Sequence, residues 1–322
     1  MKKRADATGD VDRSVAVLLP VHNAAPTIAN TLASLAEQRG ANFSILVYDD
    51  GSTDATPEVI QEFARGRPDV ILNRNIDNRG RGYARNALLE MATGHLVSWQ
   101  DGDDIWSAGK LAAQAGFYDQ MVAEMGATDF LVLEPVSREI AGRGGVRKQH
   151  LRPPRQVDVH HVFGEAYKTY PFQLQATFGP VEVFTEAGGF DPNMNWAEDF
   201  DIFLKILRKG FPLYGNTESS ECAIYAHGLG GTRPMMVEQC QTRIRDRHRD
   251  FAAAHGYDLD RIYDLRGAEY LAYMYRAQKR YKEAFRIYRN ALAACDFDHD
   301  RDRIEAVMRN ILKMLDDVQS GP

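Results

Sequence analysis

Short apolar runs alternate with amphipathic stretches over the first 135 residues of the chain. The apolar runs predict buried strands at Val15–Leu19, Ile45–Tyr48, Val70–Leu72, Leu96–Trp99 and Phe130–Leu133. The stretches with helical spacing predict helices at Pro26–Gln38, Thr56–Arg65, Gly80–Ala92 and Ser107–Ala123. Strands that are apolar throughout and separated by helices are typical of a mostly parallel sheet covered on both faces. The predicted fold class is therefore α/β.

Three polar clusters follow these strands, at Pro20–Asn23, Asp49–Asp54 and Asp101–Asp104. In open α/β sheets, ligands bind in the crevice outside the carboxyl ends of the strands. We therefore expect the three clusters to converge on one crevice.

The remaining chain predicts two further regions. Residues 136–160 are rich in Arg, Gly and Pro and predict a basic loop. A helix at Asp199–Arg208 and a last strand at Ala223–His227 complete the α/β part. The predicted domains are an N-terminal tail at 1–12, an α/β domain at 13–233 and an α-helical region at 234–322.

The C-terminal region predicts helices only. Met235–His255 reads as one long helix, Gly267–Ala294 as two helices with a break near Ala277–Arg280, and Ile304–Leu315 as another. The broken pair, with its Ala and Tyr spacing, resembles a single tetratricopeptide-type hairpin, and a plain helical lid fits equally well. A hairpin of this kind would pack on the α/β domain, on a protein partner or on a second copy of the chain.

Composition excludes several classes of function. The 322 residues carry a formal net charge of −6, which argues against a nucleic-acid-binding protein. Three cysteines, Cys222, Cys240 and Cys295, form neither a disulfide framework nor a metal pair. No signal peptide and no apolar stretch of membrane-spanning length is visible. We expect a cytoplasmic protein, at most peripheral to a membrane.

Asp101-Gly102-Asp103-Asp104 ends a predicted buried strand. Carboxylates two positions apart can share Mn²⁺ or Mg²⁺, which prefer oxygen ligands. The alternative is an acidic turn that ends the strand. Because two other polar clusters lie at the same predicted sheet edge, we favour the metal site.

Two further clusters suggest nucleotide binding. Two adjacent carboxylates, Asp49 and Asp50, end a predicted buried strand, and a turn there requires fewer. Each carboxylate must be solvated or paired, which suggests a further role. A carboxylate accepts the imide N–H of uracil or a ribose hydroxyl, although a helix cap is the simpler alternative. The stretch Asn78–Gly82 precedes a helix, and its glycines and Arg79 could bind phosphate. Arg85 and Asn86, one turn further, are as easily structural.

Glu198 and Asp199 open a predicted helix, where acidic residues favour the helix dipole. Alternatively, two adjacent carboxylates raise each other's proton affinity and could supply a general base. His227, at a strand end, could bind metal or phosphate or be structural.

The clusters, in this order, resemble family 2 inverting glycosyltransferases, which have the Rossmann-like GT-A fold. The resemblance rests on Pro20-Val21-His22-Asn23, with His where Tyr is usual, Asp49–Asp54, Asn78–Asn86 followed by Ala92-x-Gly94, Asp101–Asp104, and Gly188–Asp191 followed by Glu198-Asp199. It covers about residues 13–230. The Gln-x-x-Arg-Trp motif of processive polymerases is missing, which favours transfer of one or few sugars.

The resemblance implies a role for each matched residue. The nucleotide-binding residues would be Pro20, His22, Asn23, Asp49, Asp50, Arg79 and Asp101. Mn²⁺ or Mg²⁺ would be held by Asp103, Asp101 and His227. Glu198 and Asp199 would be the catalytic pair, with Asp199 as the base.

The implied reaction moves a sugar from a nucleoside-diphosphate sugar, with UDP as first choice, to a saccharide, lipid-linked or protein hydroxyl. The basic segment 136–160 is either solvated or binds an anionic acceptor, including the phosphates of a lipid-linked one. A sugar-phosphate nucleotidyltransferase would need a Gly-rich, Arg-containing loop after the first strand, which Pro20–Asn23 does not provide. A catalytically inactive scaffold acting through its helical tail is the other alternative.

Overall fold

A computed structural model describes residues 14–40, 42–142, 145–163, 173–220, 223–226, 233–293 and 298–319. The chain divides into two compact units, and the boundary falls between residues 227 and 228. The tail predicted at 1–12 lies outside the described residues.

The strands of the first unit are β1 (Val15–Val21), β2 (Phe43–Asp49), β3 (Val70–Arg74), β4 (Leu96–Trp99), β5 (Ile105–Trp106), β6 (Leu131–Leu133), β7 (Val136–Gly142), β8 (Gly145–Leu151), β9 (Gln156–Val157), β10 (Thr177–Pro180), β11 (Leu213–Gly215) and β12 (Ala223–Ala226). Its helices are α1 (Ile28–Ala36), α2 (Thr56–Ala64), α3 (Arg81–Met91), α4 (Lys110–Met125), α5 (Val159–Phe163), α6 (Val181–Glu186) and α7 (Glu198–Arg208). The six predicted strands and five predicted helices of this unit are present, with ends that differ by a few residues.

Eight described strands form the main sheet, in the order β3-β2-β1-β4-β10-β6-β11-β9. The first four strands in this order are parallel, whereas β10 pairs antiparallel with both neighbours. The mostly parallel α/β fold predicted from the sequence is thus confirmed. Strand β10 begins shortly after residue 173 and lies between β4 and β6 in the middle of the sheet.

The core explains why β1 is apolar at every position. Val15, Val17 and Leu19 face a cluster that includes buried side chains of α1, α2 and α4. Ala16 and Leu18 alternate to the other face and are also fully buried, and α3 packs against β1 and β2. A strand covered on both faces needs no polar alternation.

A second sheet, ordered β5-β12-β7-β8, corrects the prediction of a basic loop at residues 136–160. The segment folds as an antiparallel hairpin of β7 and β8, in which Val136 pairs with Leu151 and Gly142 with Gly145. Gly142 and Gly145, two of the glycines that suggested a loop, form the last pair of this hairpin. Strand β12 pairs in parallel with β7.

The second unit is helical, as predicted. It contains α8 (Pro234–Ala254), α9 (Leu259–Ile262), α10 (Ala268–Ala277), α11 (Tyr281–Ala293) and α12 (Asp298–Gln319), with a π-helical turn at Tyr263–Gly267. The predicted break falls between α10 and α11, where Lys279 has a φ of 59°. Small and aromatic side chains, among them Ala272, Ala284 and Tyr288, form a core of this unit with α12. The likeness to a tetratricopeptide unit stays a prediction.

Among the described residues, no helix combines the length and the apolar character needed to cross a membrane.

Candidate active site

The ends of β1, β2 and β4 bring the three polar clusters together. The backbone N–H of Asp50 donates to the carbonyl of Val21, and that of Gln100 donates to the carbonyl of Leu18. Thr27 adds a hydroxyl hydrogen bond to the carbonyl of Gly102 at 2.8 Å. The expected convergence on one edge of the sheet is confirmed.

The turn after β1 is joined to the turn after β2 by side-chain bonds. His22 Nδ1 lies 2.9 Å from the carbonyl oxygen of Asp50 and therefore donates to it. Its Nε2 then accepts from the Asn23 amide at 3.2 Å. Asn23, in the left-handed region with a φ of 50°, accepts from the Thr53 N–H at 2.8 Å and donates its own N–H to Ser52 Oγ at 2.9 Å. Pro20 is half-buried within β1.

Both carboxylates after β2 are buried and already bonded. Asp49 accepts from the Ser52 N–H at 2.9 Å, and its other oxygen lies 2.9 Å from Arg74 Nε. Asp50 accepts from the N–H of Arg79 at 3.0 Å and of Gly80 at 2.7 Å. The amide of Asn75 is a third donor to Asp50, at 3.2 Å. These carboxylates therefore fix the loop that leads into α3.

The start of α3 differs from the phosphate site that the glycines suggested. The N–H groups of Arg79 and Gly80 are bonded to Asp50, and that of Arg81 donates to Asn195 Oδ1 at 3.0 Å. The chain's own side chains thus occupy the anion-binding position at this helix N-terminus. Arg79 keeps its guanidinium at the surface, 3.7 Å from the centroid of the Tyr83 ring.

The turn after β4 has fewer compensating donors. Asp101 pairs with Arg85 at 3.1 Å, and Asp103 lies at the surface. Partial burial and the charge of Asp101 raise the pKa of Asp103. Burial, followed by the charges of Asp101 and Asp103, raises the pKa of Asp104 to about 9. This turn holds excess negative charge, as expected of a site that receives a cation.

Arg85 connects this turn to the acidic pair at the start of α7. Arg85 is 4% exposed, and its guanidinium bridges Asp101 to Glu198, which is 3% exposed. Burial alone would lower the pKa of Arg85. The charges of Glu198 and Asp101 outweigh this effect, so the pKa of Arg85 is raised overall. The structure therefore gives Arg85 a definite ionic role, which the sequence left open.

Asp199 is the less buried member of the pair that opens α7. Desolvation and the charge of Glu198 raise the pKa of Asp199 to about 6, against the lowering effect of Arg85. Its Oδ1 accepts the N–H of Phe200 at 2.8 Å. The preceding residue, Ala197, has a φ of 53°, a conformation that costs energy for a residue with a Cβ.

The turn before α7 is fixed by Asn86. The Asn86 amide donates to the carbonyl of Phe190 and accepts its N–H, both at 2.8 Å. Gly189, with a φ of 64°, lies so close that an added Cβ would be 2.8 Å from Asn86 Oδ1. The Gly-Gly-Phe-Asp turn therefore sets the position of α7 relative to α3.

One residue near the acidic turn was missed by the sequence analysis. Gln175 donates to Asp101 and, at 2.9 Å, to Asp104. It lies in a short 3₁₀ turn at Leu174–Ala176 just before β10, outside every recognised motif.

The predicted metal ligands are only partly described. His227 lies outside the described residues. Within the ranges that the structure describes, no group of three or more His, Cys, Asp and Glu side chains forms a metal site. Asp101 and Asp103 supply hard oxygen donors with excess negative charge, which suits a divalent cation completed by ligands from outside the chain.

Comparison with known proteins shows the family. The model of glycosyl transferase family 2 matches residues 16–141. The putative glycosyltransferase EpsE of Bacillus subtilis is 31% identical over 209 residues, which cover 64% of this chain and 70% of EpsE. The chain is a family 2 glycosyltransferase. The family and enzyme class expected from the motifs are confirmed.

Other relatives of this glycosyltransferase include the putative teichuronic acid biosynthesis glycosyltransferase TuaG of Bacillus subtilis. It is 27% identical over 63% of this chain and 76% of TuaG. The Escherichia coli enzyme WfgD, named a UDP-Glc:α-D-GlcNAc-diphosphoundecaprenol β-1,3-glucosyltransferase, is 37% identical over 32% of this chain and 40% of its own length. The chain thus matches less than half of the second relative.

Solved structures show the same GT-A fold. TarS 1–349 of S. aureus, in complex with UDP, has a TM-score of 0.57 and 17% identity, covering 94% of this chain and 87% of TarS 1–349. The mannosyltransferase PcManGT of Pyrobaculum calidifontis, in complex with GDP-Man and Mn²⁺, has a TM-score of 0.55 and 22% identity, covering 97% of this chain and 89% of its own.

Proposed function

We propose that this glycosyltransferase transfers a sugar, with inversion, from a nucleoside-diphosphate sugar to an acceptor hydroxyl, using Asp199 as the base. The observation that carries the proposal is the ionic connection Asp101–Arg85–Glu198, which fixes Asp199 beside the donor-side turn. A bound Mn²⁺ or Mg²⁺ would be held by Asp103 and Asp101 and would neutralise charge on the departing diphosphate.

Asp199 is suited to remove a proton. Its pKa of about 6 leaves it largely ionised at neutral pH, yet more basic than an ordinary carboxylate. Glu198 is buried and bound to Arg85, so it orients the pair. Of the predicted catalytic pair, we therefore assign the base to Asp199 alone.

The remaining steps follow from where charge moves. The acceptor oxygen, losing its proton to Asp199, attacks C1 of the sugar opposite the diphosphate. The bond from C1 to the diphosphate oxygen breaks, and the nucleoside diphosphate leaves. Arg79, held over Tyr83, is the side chain that we assign to the diphosphate.

UDP is our first choice of carrier because TarS was solved with UDP and with UDP-GlcNAc. GDP stays open because PcManGT was solved with GDP-Man. The names of TuaG and WfgD support an acceptor in polysaccharide or glycoconjugate synthesis.

The test is calorimetric titration of the chain with UDP, GDP, dTDP and CDP, with and without Mn²⁺, followed by transfer assays with the sugar of the nucleotide that binds. We expect Asp199→Asn to bind the nucleotide normally and to lose transfer by ~10³-fold. Wild-type activity should fall as the pH drops below about 6, because Asp199 becomes protonated.

Binding of no nucleoside diphosphate under any condition would contradict the proposal and favour the inactive scaffold. Full transfer activity in Asp199→Asn would contradict the assignment of the base while leaving the donor class intact.

A further inference from the structure

The Gln175 side chain is buried between two carboxylates of the acidic turn. It is 7% exposed, and Nε2 donates to Oδ2 of both Asp101 and Asp104. A side-chain amide nitrogen has two protons, so one is available for each carboxylate. The Oδ2 atoms of Asp101 and Asp104 both contact the same side-chain atom of Gln175. That atom must be the donor nitrogen and not the acceptor oxygen, which fixes the orientation of the amide.

The neutrality of this donor matters for the charge of the turn. Arg85 already pairs with one oxygen of Asp101 and divides its charge between Asp101 and Glu198. A Lys or Arg at position 175 would cancel a further negative charge. The amide instead satisfies the second Asp101 oxygen by hydrogen bonding and leaves the net charge of the turn unchanged.

The backbone around Gln175 makes its position rigid. The 3₁₀ turn leads directly into β10, which lies hydrogen-bonded between β4 and β6. The turn that carries the carboxylates follows β4. Gln175 therefore joins the acidic turn to the neighbouring antiparallel strand of the same sheet.

We propose that Gln175 is a positioning residue that holds Asp101 and Asp104 at a fixed spacing without adding a positive charge to the turn, so that the turn binds a divalent cation together with the nucleoside diphosphate. The inference rests on the proposed function. Residues that orient the ligands of a metal typically change its affinity 10- to 100-fold when replaced.

The experiment measures Mn²⁺ affinity in the presence of UDP, by electron paramagnetic resonance of free Mn²⁺, for the wild type, Gln175→Met and Gln175→Asn. We expect ~10-fold or weaker Mn²⁺ binding in Gln175→Met, which keeps the volume but has no donor. Gln175→Asn keeps an amide that reaches only one carboxylate and should fall between the two. If Gln175→Met does not fold, Gln175→Asn decides the outcome.

Gln241→Met is the matched control. Gln241 lies in α8, has the same exposed fraction as Gln175, 7%, and its amide donates to the carbonyl of Gly267 at 3.0 Å. We expect this variant to lose thermal stability and to keep its Mn²⁺ affinity within about twofold.

Wild-type Mn²⁺ affinity in both Gln175 variants would overturn the inference and leave the proposed function standing. An equal loss of Mn²⁺ affinity in Gln241→Met would do the same. Absence of Mn²⁺-dependent UDP, GDP, dTDP or CDP binding by the wild type would overturn both.

Discussion

Two acidic turns flank β1 at the edge of the main sheet and use their carboxylates differently. In the turn after β2, Asp50 accepts two backbone N–H groups and an amide, and Asp49 lies against Arg74. In the turn after β4, Asp103 lies at the surface and its pKa is raised. Aspartates at equivalent strand ends therefore have different effects. After β2 they stabilise a loop, whereas after β4 they leave the turn with excess negative charge.

The pKa directions express the same difference. Burial alone would raise the pKa of Asp54, but hydrogen bonds from Thr56 and Ala25 lower it overall. Burial and neighbouring carboxylates raise that of Asp104 to about 9. Isosteric Asp→Asn substitutions in the two turns can therefore separate structural from functional carboxylates.

The largest effect is expected for Asp103→Asn. Transfer activity and Mn²⁺-dependent nucleotide binding should fall by ~10³-fold, because a ligand for the cation is lost. The melting temperature should stay level or rise, since one repelling charge is removed. Activity assays and thermal denaturation measure the two quantities; a large loss of stability would place Asp103 with the structural carboxylates.

Asp50→Asn should reverse that pattern. Its amide cannot accept the N–H groups of Arg79 and Gly80 as a carboxylate does. We expect a loss of about 2–4 kcal/mol in the free energy of unfolding, measured in urea. Mn²⁺ affinity of the folded fraction should be unchanged, and a variant as stable as the wild type would contradict the structural assignment.

Asp104→Asn should change how stability depends on pH in metal-free buffer. The folded wild type retains a proton on Asp104 that the unfolded chain releases, because the pKa rises from 3.8 to about 9. Wild-type stability should therefore fall relative to the variant as the pH increases through this range. Melting temperatures of the wild type and the variant, recorded between pH 3.8 and about pH 9, provide the measurement. If both melting temperatures depend on pH in the same way, Asp104 is not protonated in the folded chain.

The smallest effect is expected for Asp54→Asn. Asp54 accepts bonds from Thr56 and Ala25, and its pKa is lowered, so its contribution is present at neutral pH and lost on acidification. We expect a loss of about 0.5–1 kcal/mol at pH 7, as for other side chains that bond a helix start. The difference from the wild type should shrink at acidic pH; a constant difference would point to packing instead.

The sequence predicted the strands and the convergence of the polar clusters because buried parallel strands are apolar at every position. It could not show that Asp50 fills the anion site beside Gly80, since that depends on a contact between distant segments. Gln175 carries no motif and is recognisable only from its neighbours in space. The hairpin at Val136–Leu151 was mistaken for a loop because glycines mark both kinds of segment.

Arg85 pairs with both Asp101 and Glu198. In the proposed function, Asp101 belongs to the donor side and Glu198 adjoins the base. Substitutions at these two carboxylates will therefore not be independent, since removing one partner changes the charge felt by the other. A family member that acquires a new sugar donor through changes near Asp101 would at the same time alter its base. A change of sugar donor should therefore need paired substitutions around Arg85. Libraries that vary one residue at a time would underestimate the effect of Asp101 and Glu198 on donor choice.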